Sequence, residues 1–335
     1  MTENSTMLAG AYLGNGRIEA VEKPQPVPGT GEVLVKVSRA GICGTDMHTY
    51  RHGGYTPEGL TIGHEFSGRV AALGEGVTGV ELGERVTANP MCDHLGLFRD
   101  GAFAEYVIVP NARAGENLFG LPDNIDDEQG ALIEPLAVAL RGINQIQLET
   151  DTTMLIQGLG TIGLCALLVA RQRGVRNIVA VDLPGSRLEL AARLGATTVA
   201  LGEQDLANTL NEQFGQAEGL LGGPKLDLVI DATGSEQALA TGIDMLAPHG
   251  QIVILGTYAA PITVDMTLFV AKELRMYGSL AYQGEFAEAL ALVASGAVDV
   301  RPLVSHRFAL AEIDRAFAQQ ADAAASIKVI LTVDE

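Results

Sequence analysis

The sequence has no tryptophan, three cysteines and 22 basic residues against 41 acidic ones, and each scarcity closes off a class of function. A formal net charge of -19 leaves no concentrated basic surface to meet a phosphate backbone, which argues against a nucleic-acid role. Cys43, Cys92 and Cys165 are too few for a disulfide framework, and their odd number would leave one unpaired in an oxidising compartment. Long hydrophobic runs are missing too. The longest, Ile162 to Ala170, stops at Arg171, far short of a membrane span. Met1 to Gly16 lacks the basic-then-apolar pattern of an export signal. These absences predict a soluble, cytoplasmic protein whose partner is a small molecule rather than a membrane or a nucleic acid.

What is present points to a folded α/β chain. A length of 335 residues supports two domains with separate cores, and 47% hydrophobic residues with 40 glycines suit compact layers joined by tight turns. Up to about Pro110 the chain carries short β-type pieces, Val33 to Val37 and Ala104 to Val109, between glycines and prolines, a texture that predicts a small barrel. From Thr153 apolar β-type runs (154–157, 178–182, 226–231 and 251–255) alternate with helical patterns, which predicts a parallel sheet. Two helices are expected, Ile162 to Arg173 and Ser186 to Leu194, closed by Gly174 and Gly195. A further helical run, Glu285 to Ala294, precedes a β-type segment, Lys328 to Val333, that returns to complete the first domain.

Gly158-Leu159-Gly160-Thr161-Ile162-Gly163 follows an expected strand and opens an expected helix, the context in which such a glycine pattern binds a dinucleotide. Small residues let the backbone approach a pyrophosphate, which meets N–H groups and the positive end of the helix dipole. Asp182 ends the next expected strand, where a carboxylate binds the adenosine ribose hydroxyls and repels a 2′-phosphate, so NAD is preferred over NADP. Arg187, five residues on, stands to contact the same ribose, and Thr233 and Gly234 complete the candidate cofactor set.

Cys43 to His48 and Gly63-His64-Glu65 put a thiolate, an imidazole and a carboxylate into two short segments. Zinc accepts these donors, and three protein ligands leave a fourth position open for substrate, as catalysis requires. Zinc lowers the pKa of a bound hydroxyl from about 16 toward 7, which favours loss of the alcohol proton as hydride leaves for NAD.

These residues carry a resemblance to the zinc-containing medium-chain alcohol dehydrogenases, in the polyol and threonine dehydrogenase branch. It covers nearly the whole chain, and its specific pieces are Gly41-Ile42-Cys43-Gly44-Thr45-Asp46-Met47-His48, Gly63-His64-Glu65, the segment Gly101 to Val107, the segment Glu134 to Val138 and the dinucleotide motif. The resemblance implies a GroES-like β-barrel catalytic domain, residues 1–145 and 284–335, and a Rossmann doubly wound parallel-sheet NAD-binding domain, residues 146–283. It places the active site in the cleft between them. Carried over by position, it implies that Cys43, His64 and Glu65 bind one catalytic Zn2+, with Glu134 binding directly or through water. Asp46 would orient a ligating imidazole. Thr45 would touch the substrate oxygen and start a proton relay through cofactor hydroxyls to His48, which opens to solvent. Tyr282 resembles a substrate-side residue of polyol dehydrogenases, and relatives form homo-oligomers through the cofactor domain.

The chain departs from many relatives in lacking a lobe of four closely spaced cysteines that holds a second, structural zinc. Between Arg85-Val86 and Gly101-Ala102 only Cys92 and His94 remain, so one zinc per chain is expected. Cys165 is expected to be a small buried hydrophobe, His249 and His306 to have bland structural roles, and His52, near Tyr50 and Arg51, to be solvated rather than to line the pocket mouth. Two other readings stay open: a metal-independent quinone or enone reductase of the same fold, and a nucleotide-binding protein without turnover.

Overall fold

The computed structural model describes residues 5–53, 56–218 and 222–334; residues 1–4 and 335, at the two ends of the expected first domain, lie outside the described residues. In chain order come β1 (Thr6–Gly14), β2 (Arg17–Pro24), β3 (Val33–Gly41), α1 (Gly44–His52), β4 (Glu65–Leu73), β5 (Arg85–Ala88), β6 (Tyr106–Val109), β7 (Leu118–Gly120), α2 (Asp127–Ala131) and α3 (Ile133–Ile143). Then follow β8 (Thr153–Gln157), α4 (Thr161–Gln172), β9 (Asn177–Asp182), α5 (Ser186–Arg193), β10 (Thr197–Ala200), α6 (Leu206–Phe214), β11 (Leu228–Asp231), α7 (Glu236–Met245), β12 (Gln251–Ile254), α8 (Met266–Ala271) and β13 (Arg275–Gly278). The chain closes with α9 (Glu285–Ala294), β14 (Val304–Ala309), α10 (Ile313–Gln320) and β15 (Lys328–Thr332).

Two compact units result, Met1–Pro135 with Phe286–Glu335, and Leu136–Glu285. The first division falls inside α3, ten residues before the expected boundary at 145, because the rest of α3 packs with the second unit: a Cβ on Gly142 would meet Leu255 at 2.6 Å.

The first unit is built on a seven-stranded sheet in the order β14-β15-β3-β4-β5-β7, with β6 also paired to β3. Its core gathers Val33, Val35, Val37, Phe66, Phe103, Phe317 and Leu331, all nearly inaccessible. Three strands meet at one register position: Gly41 of β3 stands opposite Glu65 of β4 on one side and Ile330 of β15 on the other, both antiparallel. The last strand therefore lies beside the two segments that carry the candidate metal ligands, and its residue Lys328 reaches them.

The second unit holds a six-stranded parallel sheet in the order β10-β9-β8-β11-β12-β13. Counted from β8, this is the doubly wound order 3-2-1-4-5-6, whose direction reverses between the first and fourth strands. Ligands bind outside the carboxyl ends of such strands. Those ends are Gln157 on β8 and Asp231 on β11, each followed by a loop that carries predicted cofactor residues. Met154, Leu155 and Ile156 are fully buried, as a central strand covered on both faces requires. Among the described residues no helix is long and apolar enough to cross a membrane.

Candidate functional site

The turn after β8 shows why each glycine is there. Gly158 has φ +83°, a left-handed conformation costly for other residues, and Gly163 lies so close to it that a Cβ would stand 1.8 Å from the Gly158 carbonyl oxygen. Gly160 is the N-cap of α4 and carries no side-chain acceptor; a Cβ there would meet nothing nearer than an Arg187 guanidinium nitrogen at 4.0 Å. Bare backbone at a helix start, with room beside it, suits an anion. Thr161 and Ile162 form the first turn of that helix.

Asp182 ends β9 as expected, and it also fastens the glycine turn. Its Oδ2 accepts from the Leu159 N–H at 2.7 Å, and its Oδ1 from the Leu183 N–H at 2.7 Å. Arg187 lies 3.8 Å from Oδ2, a loose ion pair beside the turn. The neighbouring loop has an anchor that sequence reasoning missed. Asp231, fully buried at the end of β11, accepts from the Thr233 N–H at 3.0 Å and hydroxyl at 2.6 Å, and also from the Tyr258 hydroxyl. Burial, and then Asp231, pushes the Tyr258 phenol above its ordinary pKa. Gly234 follows with φ +68°. An acid at a strand end was the available signal.

In the first unit the structure brings Cys43 and His64 together. Cys43 is the N-cap of α1, its sulfur 3.5 Å from the Thr45 N–H, while Asp46 Oδ2 accepts from the Cys43 N–H at 2.9 Å. The other oxygen of Asp46 lies 3.5 Å from His64 Nδ1, within ion-pair range but outside hydrogen-bond geometry, so that buried nitrogen has no hydrogen-bond partner. Burial pushes the imidazole pKa down, but the negative charges of Asp46 and Cys43 outweigh it and hold His64 well above 6.5. A buried imidazole flanked by a thiol and a carboxylate, with an unsatisfied ring nitrogen, fits a cation of borderline softness such as zinc.

The other two expected ligands, Glu65 and Glu134, both act on a buried lysine. Among the described residues no group of three or more His, Cys, Asp and Glu is arranged to hold a metal. The Glu65 carboxylate turns to Lys328, whose Nζ donates to Oε1 at 2.8 Å, to Oε2 at 2.6 Å and to the Ile42 carbonyl at 2.9 Å. Burial alone would depress the ammonium; Glu65, with Cys43 and Glu134 also acting on it, keeps Lys328 charged and above its ordinary pKa. Glu134 is buried at the start of α3, within the electrostatic reach of the same ammonium. Buried anions need a countercharge, and Lys328 supplies it. Nothing in its local sequence separated this lysine from a surface one.

The remaining predicted residues divide cleanly. Thr45 and His48 are exposed on α1, whose inward face is Asp46, Met47 and Thr49. Cys165 is buried and Tyr282 nearly so, whereas Cys92 is exposed and His249 lies on the surface 3.5 Å from Glu273. Partial burial, then Asp93 and Glu116, raises the Cys92 thiol above its ordinary value and so reduces its reactivity.

Comparison with known proteins agrees with both units. Residues 29–123 match the alcohol dehydrogenase GroES-like domain, and residues 161–295 the zinc-binding dehydrogenase family. A sorbitol dehydrogenase of Halalkalibacterium halodurans is 33% identical over 95% of this chain and 96% of its own. A 2R,3R-butanediol dehydrogenase from Bacillus subtilis superposes with a TM-score of 0.87 at 29% identity, covering 97% of this chain and 99% of that one. A zinc-binding dehydrogenase from Sinorhizobium meliloti, bound to NADP, gives 0.86 at 30%, covering 98% and 100%. The fold, the glycine turn with its acid and these matches along nearly the full length lead to one assignment: the chain belongs to the zinc-type medium-chain alcohol dehydrogenase family.

Proposed function

We propose that this protein is a zinc-dependent dehydrogenase that moves a hydride between NAD and a small secondary alcohol or polyol, in either direction. The observation that carries the reading is the buried His64 imidazole, one nitrogen without a hydrogen-bond partner, set beside Cys43 and Asp46. The sorbitol and butanediol dehydrogenases it resembles act on hydroxyl-bearing substrates of this kind.

When bound, zinc supplies a Lewis acid toward the substrate oxygen and nicotinamide supplies the hydride acceptor. The chain's residues do the rest. Cys43, His64 and Glu134 would hold the metal, and Glu65 would join them only by exchanging out of its pair with Lys328. Asp46 orients His64 through Nδ1 and fixes Cys43 through its backbone, so one carboxylate aligns two donors. Thr45 would touch the substrate oxygen and accept its proton while giving up its own hydroxyl proton to a relay that ends at His48, three residues along the same helix and open to water. The turn from Gly158 to Gly163, Asp182, Arg187, Thr233 and Gly234 bind the dinucleotide. The Asp182 carboxylate supports NAD over NADP, since a 2′-phosphate would meet a negative charge.

A reducing, cytoplasmic setting agrees with three free cysteines, and a homo-oligomer with the habit of the family. The test is a panel of secondary alcohols, vicinal diols, sugar alcohols and threonine with NAD and with NADP, followed by absorbance of the reduced cofactor in zinc-loaded and zinc-stripped protein. Turnover that survives complete zinc removal would favour the metal-independent reductase.

A further inference from the structure

His48 and His52 stand one helical turn apart on α1, both exposed, with ring centroids 5.1 Å apart and planes inclined at 52°. Histidines spaced i and i+4 on one helix face are a recognised zinc-binding arrangement. A zinc ion about 2.0–2.1 Å from one nitrogen of each ring lies roughly 3.2 Å from each ring centre, and a tetrahedral angle then sets the centres about 5.2 Å apart. The observed centroid separation of 5.1 Å matches that value. We propose that this pair is a reversible site for a second divalent transition cation, Zn2+ by its fit, separate from the site of Cys43 and His64.

The surroundings set its strength. His52 is the last residue of the nine-residue helix, where the carbonyl end of the dipole attracts a cation, and His48 stands one turn before it. Arg51, in the same last turn, repels one. With two protein donors and water in the remaining positions, the ion is held weakly and exchanges. A resident zinc needs three or four donors. Cys92 and His94 show no comparable ring pair; the His94 ring is packed edge-on against Phe98, at 5.7 Å and 82°.

Occupancy has a functional consequence that rests on the proposed dehydrogenase reading. A metal on His48 removes the lone pair that carries the proton outward, so excess zinc inhibits turnover while the hydride machinery stays intact.

The experiment takes zinc-loaded protein freed of excess metal and titrates it with Zn2+ at fixed, near-neutral pH. Equilibrium dialysis counts bound zinc and parallel assays follow turnover. The expected result is one further zinc per chain in the wild type with a matching loss of turnover. His52→Gln, with normal activity before zinc is added, should need at least about tenfold more zinc for either effect, because the second donor no longer acts intramolecularly. Equal binding by wild type and variant, or no further zinc in the wild type, overturns the site. Binding that depends on His52 but leaves turnover unchanged upholds the site and overturns the block at His48. A protein without turnover on any alcohol defeats the dehydrogenase reading, and the binding curves still decide the site.

Discussion

The ammonium of Lys328 lies 2.6 and 2.8 Å from the two carboxylate oxygens of Glu65, with both side chains only 1% exposed. Gly41 makes the room: a Cβ there would stand 2.2 Å from Glu65 Oε2. Three adjacent strands thus converge on one buried ion pair next to Cys43 and His64. The pair gives the buried Glu65 carboxylate its countercharge.

Replacing Lys328 by Met leaves that carboxylate buried and unpaired. Metal-free Lys328→Met protein should lose on the order of 3–5 kcal/mol, read as a lower urea midpoint. Zinc should restore part of the loss, because Glu65 regains a cationic partner. A variant as stable as the wild type without metal would show that Glu65 carries no uncompensated charge.

His64 predicts a pH signature. Its folded pKa is raised above 6.5, so the stability contributed by the protonated ring is fully present below that value and is lost as pH rises through the folded pKa. Metal-free protein should therefore weaken from neutral pH upward relative to His64→Gln, as followed by thermal midpoint. Zinc takes the neutral ring, so metal uptake near neutral pH should release a proton, measurable by calorimetry in buffers of different ionisation heat. Uptake without proton release would contradict a charged His64.

Asp182 has two tasks, and its removal should separate them. Asp182→Ala takes away the carboxylate that repels a 2′-phosphate, which narrows the preference for NAD over NADP. It also frees the Leu159 N–H from a bond to a charged acceptor, worth about 1.5–3 kcal/mol, so affinity for both dinucleotides should fall by roughly tenfold or more. Fluorescence titration with each cofactor reads both effects. An unchanged cofactor ratio would refute the assignment to the ribose.

Cys43→Ala should abolish most turnover and one zinc equivalent while leaving NAD affinity nearly unchanged, since Cys43 lies in the first unit and the glycine turn in the second. Chelator treatment of the wild type should give the same phenotype, reversed by added zinc. Elemental analysis checks the stoichiometry, expected at one tightly held zinc per chain; two would contradict the missing lobe.

Much of this was legible before any coordinates. Strands β8, β9, β11 and β12 and helices α4 and α5 lie within two residues of their expected ends, because periodicity, strand-forming runs and closing glycines act over a few residues. The glycine turn and Asp182 were readable for the same reason: β8, its turn and α4 are contiguous, and β9 follows after one helix. Cys43 could be matched with His64 only through resemblance, since 21 positions and a change of element separate them.

What the amino-acid order by itself determined is therefore local: the alternation of elements, the bare turn for a pyrophosphate, and a thiol, an imidazole and two carboxylates of the kinds zinc accepts. Only the tertiary structure decided which charges meet. Lys328 reaches Glu65 across 263 positions because β15 pairs with β3 and β3 with β4, and the Tyr258 hydroxyl reaches the second oxygen of Asp231 across 27. Strand register and burial choose those partners, and neither is written in the few residues on either side of a lysine or an aspartate.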